Sequence, residues 1–168
     1  GIVSWFRCAP DEHWVAAAGH ACVPDDWNSN ADRQETGQLY VVEKIIAVLD
    51  EMPGDFRIRL SSLVPAVVNA DYLKRLLKYR RLCHHLHLSA QSGSDSVLRD
   101  MNRPYDREEY MEIVDVLRSF DPLYGLSTDI IVGFPGEKEK DFEESCSLVR
   151  ACAFCKTHIF KYSKSPFP

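Results

Sequence analysis

Small hydroxyl, amide and glycine residues recur at three places in the chain, each directly after an apolar stretch. These places are Ser61-Ser62, Gln91-Ser92-Gly93-Ser94 and Gly133-Phe134-Pro135-Gly136. Glycine lets the backbone approach a ligand closely, and proline fixes a loop before anything binds to it. A glutamine side chain both donates and accepts hydrogen bonds. Together these residues suit a polar small molecule that has an aromatic part.

A carboxylate on that molecule has two candidate partners in the sequence. Ser92 and Ser94 flank Gly93 at the expected start of a helix, where hydroxyls and exposed backbone amides attract anions. Arg103 follows the same helix, and its guanidinium group is suited to pairing with a carboxylate. The competing explanation is helix capping alone, with Asp95 as the capping residue, although glutamine and glycine add nothing to a cap.

Cysteine and histidine residues are the other candidates for chemistry. Cys152 and Cys155 form a Cys-x-x-Cys pair, a pattern that can bind metal or carry out redox reactions. Packing is the favoured interpretation, because one pair cannot complete a metal site. His84, His85 and His87 crowd one expected strand, but alternation points His84 away from the other two. We therefore predict no metal site from these residues.

Regular elements are expected from Gln38 onward. The helical patterns cover residues 39–52, 69–80 (with Asn69 as the N-cap), 94–102, 106–120 and 137–152, and the strand patterns cover 56–65, 83–91, 126–135 and 156–163. Strands and helices that alternate over short connections predict an α/β fold of repeated βα units with a parallel sheet, open or barrel-shaped. Ligands in such folds bind at the carboxyl ends of the strands, which is where the polar residues fall.

The first part of the chain differs from the rest. It holds all three tryptophans, and we expect a strand over residues 1–6, a helical turn over 13–21 and a loop or linker over 25–37. The predicted organisation is an unassigned segment over residues 1–36 followed by one domain over 37–168. A length of 168 residues is enough for one ordinary domain.

Composition narrows the function classes. The net charge of -5 gives no general attraction to nucleic acid. The basic residues between 74 and 81 form either a solvated helix face or a contact with a nucleic acid backbone. The chain has no apolar run of membrane-spanning length and no recognisable secretory signal, and six cysteines in a chain with ample apolar residues do not suggest a disulfide framework. We expect a cytoplasmic protein without membrane contact.

Several motifs in one order and spacing give a specific resemblance. The stretches HLHLSAQSGSDSVLRDMNRPYDREEY, STDIIVGFPGEKEKDFEES and HIFKYSKSP resemble the radical S-adenosylmethionine (SAM) methylthiotransferases. Within that family the chain most resembles the enzymes that modify threonylcarbamoyladenosine next to the tRNA anticodon. The enzymes that modify isopentenyladenosine come second. The resemblance extends from about residue 39 to residue 164.

The resemblance implies part of a radical SAM TIM-type barrel that binds S-adenosylmethionine and a [4Fe-4S] cluster. It implies tRNA as the substrate, with sulfur and electron donors as further partners. Carried over by position, the residues that line the cofactor site are Ser61, Ser62, Gln91, Ser92 and Arg103, and those that shape the wall near the adenine are Gly133 and Pro135. No residue of this chain is assigned a catalytic role.

The sequence also departs from the family. The Cys-x-x-x-Cys-x-x-Cys motif that holds the family's catalytic cluster does not occur, and neither do the flanking domains. We therefore expect the chain by itself not to catalyse the reaction. A non-catalytic remnant that binds SAM or RNA is the alternative. A third hypothesis is an unrelated βα enzyme that acts on a phosphorylated metabolite.

Overall fold

The computed structural model describes residues 3–7 and 33–164, with side chains over 41–164. The strands are β1 (Val3–Arg7), β2 (Phe56–Leu60), β3 (Ser62–Leu63), β4 (His85–Leu88), β5 (Gly125–Val132) and β6 (Lys156–Lys161). The helices are α1 (Arg33–Glu51), α2 (Ala70–Leu76), α3 (Asp95–Asp100), α4 (Arg107–Phe120) and α5 (Glu139–Cys152), with a short 3-10 turn at Pro65–Val67. None of the described helices is long and apolar enough to cross a membrane.

The sheet is parallel, and its strands follow chain order. Strands β3, β4, β5 and β6 are neighbours in that order and pair in parallel, while β1 pairs with β2 antiparallel. Helices precede or follow each parallel strand. The predicted α/β fold of βα units, one sector of a TIM-type barrel, is confirmed. The strand expected at residues 1–6 is also confirmed as β1, whereas the helical turn expected at 13–21 lies outside the described residues.

The first expected parallel strand is interrupted at Ser61. Ile58 and Leu60 in β2 are buried, and strict alternation would next bury residue 62. Leu63 is buried instead and Ser62 is exposed, so the alternation of buried and exposed side chains shifts by one residue at Ser61. The pairing shifts as well, because Ile58 lies opposite Leu82 whereas Ser62 lies opposite His87. The interruption turns the Ser62 hydroxyl toward the face of the sheet opposite the helices.

Apolar side chains cover the other face of the sheet. The fully buried ones that join strands to helices are Leu86, Leu88, Leu126, Tyr110, Leu117 and Leu148. Burying an aliphatic side chain of this size stabilises a fold by about 1.5–3 kcal/mol relative to leaving it in water. The Tyr110 hydroxyl donates to the backbone oxygen of Leu88 at 2.8 Å, so its polar end is satisfied inside this core. The core fixes the sheet against α4 and α5.

The N-terminal ends of the helices show which of the capping residues suggested by the sequence form hydrogen bonds. Asn69 caps α2, because its side-chain oxygen accepts from the Tyr72 amide at 2.9 Å, as predicted. Asp106 caps α4 in a reciprocal capping box with Glu109. The competing explanation, that Asp95 caps α3, is wrong: its carboxylate accepts from the Arg107 amide at 2.8 Å, at the start of α4. Asp95 therefore joins two helices instead of capping its own.

The loop expected over residues 25–37 is wrong for its last five positions. Helix α1 begins at Arg33 and continues through Gly37. A glycine inside a helix costs about 1 kcal/mol relative to alanine, which weakens a helix without ending it. The predicted boundary between residues 36 and 37 therefore falls inside α1. The division into an unassigned segment and one domain remains a prediction.

Candidate functional site

The face of the sheet opposite the helices carries hydrogen-bonding groups. We call this set the polar face, and it comprises Arg59, Ser62, His85, His87, Ser89, Ser127, Asp129 and His158. Alternation along each parallel strand places these side chains on one side while the intervening leucines and isoleucines enter the core. His85 and His87 both contact the Ser127 hydroxyl, whereas His84 contacts Asp121. The predicted separation of His84 from the other two histidines is confirmed.

Four contacts join the centre of the polar face across three strands. His87 lies between Ser127 and Asp129, with Nδ1 2.9 Å from the Ser127 hydroxyl and Nε2 3.0 Å from Asp129 Oδ2. The Ser89 hydroxyl donates to the same Asp129 oxygen at 2.9 Å and lies 3.2 Å from the Ser62 hydroxyl. A neutral His87 satisfies both contacts when Nε2 carries the proton and Nδ1 accepts from Ser127. The side chains thus fix one another's orientation.

Asp129 is the charged centre of this network. Burial by itself would raise the pKa of Asp129, but hydrogen bonds from His87 and Ser89 and the nearby imidazoles of His87 and His158 lower it overall. The carboxylate is therefore ionised at neutral pH. Both of its hydrogen bonds within the described residues go to Oδ2, and Oδ1 has none. The carboxylate keeps one oxygen with which it can accept a hydrogen bond from a ligand.

His85, at the start of β4, is an uncharged member of the polar face. Burial lowers the pKa of His85, and the neighbouring Arg59 guanidinium and His87 lower it further, so the ring is neutral at pH 7. Arg59 Nε lies 3.2 Å from His85 Nδ1 and Nη2 lies 3.0 Å from Nε2. A neutral imidazole has a single acceptor nitrogen, so only one of these contacts is a hydrogen bond at a time.

Ser61, Ser62 and Gln91, three of the residues expected at the cofactor site, lie toward the carboxyl edge. Ser61 is half-buried at the break between β2 and β3, and Ser62 joins the polar face through Ser89. Gln91 has a left-handed backbone with a φ of 65°. Its amide donates to Asp129 and its carbonyl accepts from Ile131, both at 2.8 Å, so β4 stays attached to β5 at this residue. Their role as cofactor ligands remains a prediction.

The residues after Gln91 are buried under α5, contrary to the expected exposed amides. Ser92 and Ser94 are each 1% exposed. The Gly93 amide donates to the Ser145 hydroxyl at 2.9 Å, and the Ser94 amide donates to the Ser92 hydroxyl at 3.2 Å. A Cβ atom on Gly93 would lie 2.6 Å from the Glu144 backbone oxygen. This stretch therefore attaches a helix to the sheet, and its amides are not open to a carboxylate.

The turn from Gly133 to Glu137 is shaped by two glycines and one carboxylate. Gly133 and Gly136 have φ values of 74° and 90°, which favour glycine. The Glu137 carboxylate accepts hydrogen bonds from the amides of Gly133 and Phe134 and so closes the turn. Apart from its chain neighbours, no atom of the described residues lies within 4 Å of a Cβ built on Gly133, and Pro135 is exposed. The turn forms an open rim, and its role as the wall near the adenine remains a prediction.

An aromatic pair stands at this rim. The Phe134 ring, which is half-buried, contacts the Tyr162 ring edge to face at a centroid distance of 5.1 Å.

Arg103 is half-buried, and its Nε atom is buried without a hydrogen-bond partner among the described residues. An unsatisfied buried donor is costly, so this atom suits an acceptor from outside the chain. Pairing of Arg103 with a carboxylate remains a prediction.

The described cysteines do not fit an iron–sulfur cluster. Within residues 41–164 no group of three or more His, Cys, Asp or Glu side chains is placed to hold a metal ion. Burial raises the pKa of Cys152 to about 11, and its sulfur lies 3.5 Å from that of Met111. Cys155 donates to the Leu126 backbone oxygen at 3.0 Å. Burial of Cys152 supports the packing interpretation for that residue, whereas Cys155 is exposed and its thiol has only this hydrogen bond among the described residues. No reaction step through a cluster follows from these residues.

The sequence interpretation missed most of the polar face. His87 and Asp129 were not assigned to the site, because each alternates with apolar residues and looked like part of an ordinary strand. The available signal was polar residues two apart on neighbouring parallel strands, as in His85 and His87 beside Ser127 and Asp129. Only the pairing register shows that these residues meet.

A comparison with protein-family models decides the family. The model for the radical SAM superfamily matches residues 31–149. The chain belongs to the radical SAM superfamily. The match covers the polar face on β3, β4 and β5, together with the turn that follows β5. The hypothesis of an unrelated βα enzyme is therefore wrong.

Two kinds of curated relative match the chain. It is 46% identical over 123 residues to the threonylcarbamoyladenosine tRNA methylthiotransferase of Thermotoga maritima, covering 73% of this chain and 28% of the relative. It is 39% identical over 139 residues to the tRNA-2-methylthio-N(6)-dimethylallyladenosine synthase of Salinispora arenicola, covering 83% of this chain and 28% of that relative. These relatives confirm the resemblance to the methylthiotransferase family within the superfamily. The chain spans little more than a quarter of their length.

A solved structure also overlaps with the chain. The coproporphyrinogen III oxidase of Escherichia coli, described as a radical SAM enzyme, superposes with a TM-score of 0.47 at 16% sequence identity. The overlap covers 82% of this chain and 39% of the oxidase.

Proposed function

We propose that this chain is the cofactor- and substrate-binding part of a radical SAM tRNA methylthiotransferase, and that its substrate is threonylcarbamoyladenosine next to the anticodon. The observation that carries the proposal is the 46% identity to a relative named for that reaction. Relatives named for the dimethylallyl substrate match at 38–41% identity, which supports the same reaction and makes their substrate the second candidate.

The polar face supports the choice of substrate. A threonylcarbamoyl group carries a carboxylate, a hydroxyl and amide groups, whereas a dimethylallyl group is apolar. Polar groups of a ligand bind best where hydrogen-bonding partners are already oriented. An apolar group binds poorly on a polar surface, because it removes water from the protein's polar groups without replacing the lost hydrogen bonds. A surface that includes Arg59, three imidazoles and three serine hydroxyls therefore favours the polar substituent.

The chain's own residues have binding and positioning roles in this proposal. When bound, S-adenosylmethionine supplies the radical chemistry that the family name describes. The Gly133 to Glu137 turn and the Phe134–Tyr162 pair give a rim against which the adenine packs. Ser61, Ser62 and Gln91 are the polar contacts on the neighbouring strands, and Arg103 pairs with the cofactor's carboxylate. Sulfur and electron donors are the further partners, and the setting is cytoplasmic.

A chimeric enzyme tests the proposal directly. The 123 matched residues of the Thermotoga maritima relative are replaced by those of this chain, so that the rest of the enzyme comes from the relative. The chimera is expressed in a strain without its own methylthiotransferases, and tRNA digests are analysed by mass spectrometry. We expect 2-methylthio-threonylcarbamoyladenosine at the position next to the anticodon.

The other outcomes separate the parts of the proposal. A chimera that modifies only dimethylallyladenosine would keep the reaction and reject the proposed substrate. A chimera that folds and binds its cluster, yet leaves S-adenosylmethionine intact, would reject the function. The unmodified relative expressed in the same strain is the positive control.

A further inference from the structure

The chain at the end of β4 holds one residue more than the length of β5 beside it. His87 lies opposite Ser127, and Gln91 lies opposite Ile130. The three residues 88–90 therefore stand opposite only two residues of β5. An extra residue of this kind is a β-bulge, which is rare between parallel strands and leaves backbone groups outside the ladder of hydrogen bonds.

Two buried side chains form hydrogen bonds with the backbone of this bulge. The Ala90 amide donates to the Thr128 hydroxyl at 2.9 Å. The Tyr105 hydroxyl lies 3.1 Å from the Ser89 backbone oxygen and 3.2 Å from the Ala90 backbone oxygen, so its one proton is shared between them. Tyr105 is 7% exposed, and burial raises the pKa of Tyr105 to about 12. The hydroxyl is therefore a neutral donor at physiological pH.

Gln91, the residue after the bulge, lies at the centre of a strained turn. Its φ is 65°, and the Ser92 amide donates to the Ala90 oxygen at 2.8 Å, across Gln91. A hydrogen bond between residues two apart around a positive φ defines the rare, strained form of the γ-turn. The Cβ atom of glutamine disfavours this backbone, and such strain persists only where surrounding contacts hold it. The Tyr105 hydroxyl is one of these contacts, because it lies against the same Ala90 oxygen.

The side chain of Gln91 adds no hydrogen bond to the fold as described. Gln91 is half-buried, and its side-chain amide has no hydrogen-bond partner within residues 41–164. Glycine would adopt the same backbone without strain, so the fold alone does not account for a glutamine at this position. A side-chain amide both donates and accepts, which suits a polar ligand. The strained turn thus places an uncommitted amide at the carboxyl edge of the sheet.

We propose that Tyr105 is a positioning residue, whose buried hydroxyl holds the Ser89 and Ala90 oxygens and so keeps the Gln91 side-chain amide in place for a ligand. Tyr105 itself touches no ligand, because its hydroxyl is buried against the bulge. The inference rests on the proposed function, in which Gln91 is one of the polar contacts of the cofactor. The competing explanation is that the hydroxyl contributes to stability alone.

Two tyrosine variants separate positioning from stability. Tyr105→Phe removes the hydroxyl and keeps the ring. Tyr110→Phe is the matched control, because its hydroxyl also donates to an oxygen of β4, that of Leu88, which keeps the Thr128 hydroxyl as a second donor. Both variants should unfold at a lower temperature than the wild-type chain. In titration calorimetry with S-adenosylhomocysteine, Tyr105→Phe should weaken binding about fivefold, the effect of one lost hydrogen bond, and Tyr110→Phe by less than about twofold.

A double-mutant cycle shows whether Tyr105 acts through Gln91. Gln91→Ala removes the side-chain amide and keeps a Cβ atom on the strained backbone. In the Gln91→Ala background, Tyr105→Phe should have no further effect on the dissociation constant, because the amide that it positions is gone. Its effect on the unfolding temperature should remain. A hydroxyl that contributed to stability alone would leave the affinity unchanged in both backgrounds.

Four results would overturn the assignment. They are an unchanged affinity in Tyr105→Phe, equal weakening in both tyrosine variants, a full effect of Tyr105→Phe in the Gln91→Ala background, and no binding of S-adenosylhomocysteine by the wild-type chain. In case Tyr105→Phe unfolds, solvent exchange of the Tyr105 hydroxyl proton in the wild-type chain gives the answer. Because coupling between two sites is reciprocal, this exchange should slow when S-adenosylhomocysteine binds, and that of Tyr110 should not. Equal exchange of the Tyr105 proton with and without the ligand would reject the proposal.

The chimera reports separately on the proposed function. A chimera that makes its product equally fast with and without Tyr105→Phe would reject this assignment and keep the function. A chimera without activity, beside an intact effect of Tyr105→Phe on binding, would reject the function and keep the assignment.

Discussion

The two faces of one sheet use opposite chemistry on neighbouring residues. On β5, Leu126, Thr128 and Ile130 enter the helix-covered core, while Ser127 and Asp129 lie on the polar face. On β4, Leu86 and Leu88 likewise alternate with His85 and His87. The core face excludes water and stabilises the fold by burial. On the polar face, the side chains form hydrogen bonds that orient one another. The difference indicates that alternate residues of the same strands build the apolar core and the polar face.

The largest expected contrast is between adjacent residues of β5. Leu126→Ala removes a fully buried side chain and should lower the free energy of unfolding by about 2–5 kcal/mol. Ser127→Ala removes hydrogen bonds to His87 and His85 and should lower it by about 1 kcal/mol. Urea unfolding followed by circular dichroism measures both. Equal losses in the two variants would mean that the polar face stabilises the fold as much as the core does.

Two glycines give the next contrast. Gly93→Ala places a Cβ against the α5 backbone and should cost about 1–3 kcal/mol as α5 is displaced. Gly133→Ala meets no atom within 4 Å in the part of the chain that the structure describes, its chain neighbours aside, so its cost is that of the left-handed backbone, about 1 kcal/mol.

Thermal unfolding of both glycine variants, with ligand binding measured alongside, tests whether the two glycines serve different purposes. Gly93→Ala should lose stability first, and Gly133→Ala should lose affinity for S-adenosylhomocysteine while it stays folded. Weakened binding in both variants with no difference in stability would contradict the separation of attachment from binding.

These differences also explain what the sequence predicted and what it did not. Asn69 and the helix that it caps were predicted, because a cap and its partner are three residues apart and depend on local spacing. The burial of Ser92 and Ser94 was not, since it depends on Ser145 and Glu144 some fifty positions later. The βα order needed only periodicity, whereas the polar face needed the register between β4 and β5. Caps and periodicity can be predicted from neighbouring residues, whereas contacts between distant segments require the three-dimensional structure.

The smallest expected effect is an acid dependence at the attachment of α5. Hydrogen bonds from Ser94 and Ser96, together with the Lys138 amide, lower the pKa of Asp141 from 3.8 to about 2. A carboxyl group with a lowered pKa in the folded state stabilises the fold above its unfolded value, and that stabilisation is lost as the pH falls through the folded value. Asp141 should therefore contribute at pH 5 and progressively less from about pH 4 to pH 2.

Asp141→Asn isolates this contribution. The difference in free energy of unfolding between the wild-type chain and the variant should be largest at pH 5 and should shrink at pH 3. Asp115→Asn, on the exposed side of α4, is the control for the loss of one negative charge. A difference that is the same at both pH values would mean that Asp141 acts through its shape instead of its charge.

The order of the strands has a consequence for the synthesis of the chain. Each parallel strand pairs with the one made just before it, from β3 through β4 and β5 to β6. A strand that leaves the ribosome therefore finds its neighbour already made, with only the connection of one or two helices to close between them. Pairing between strands that are near in sequence closes short loops, which costs less chain entropy than joining distant ones. The sheet can thus be extended strand by strand, in the order of translation, before the last residue is added.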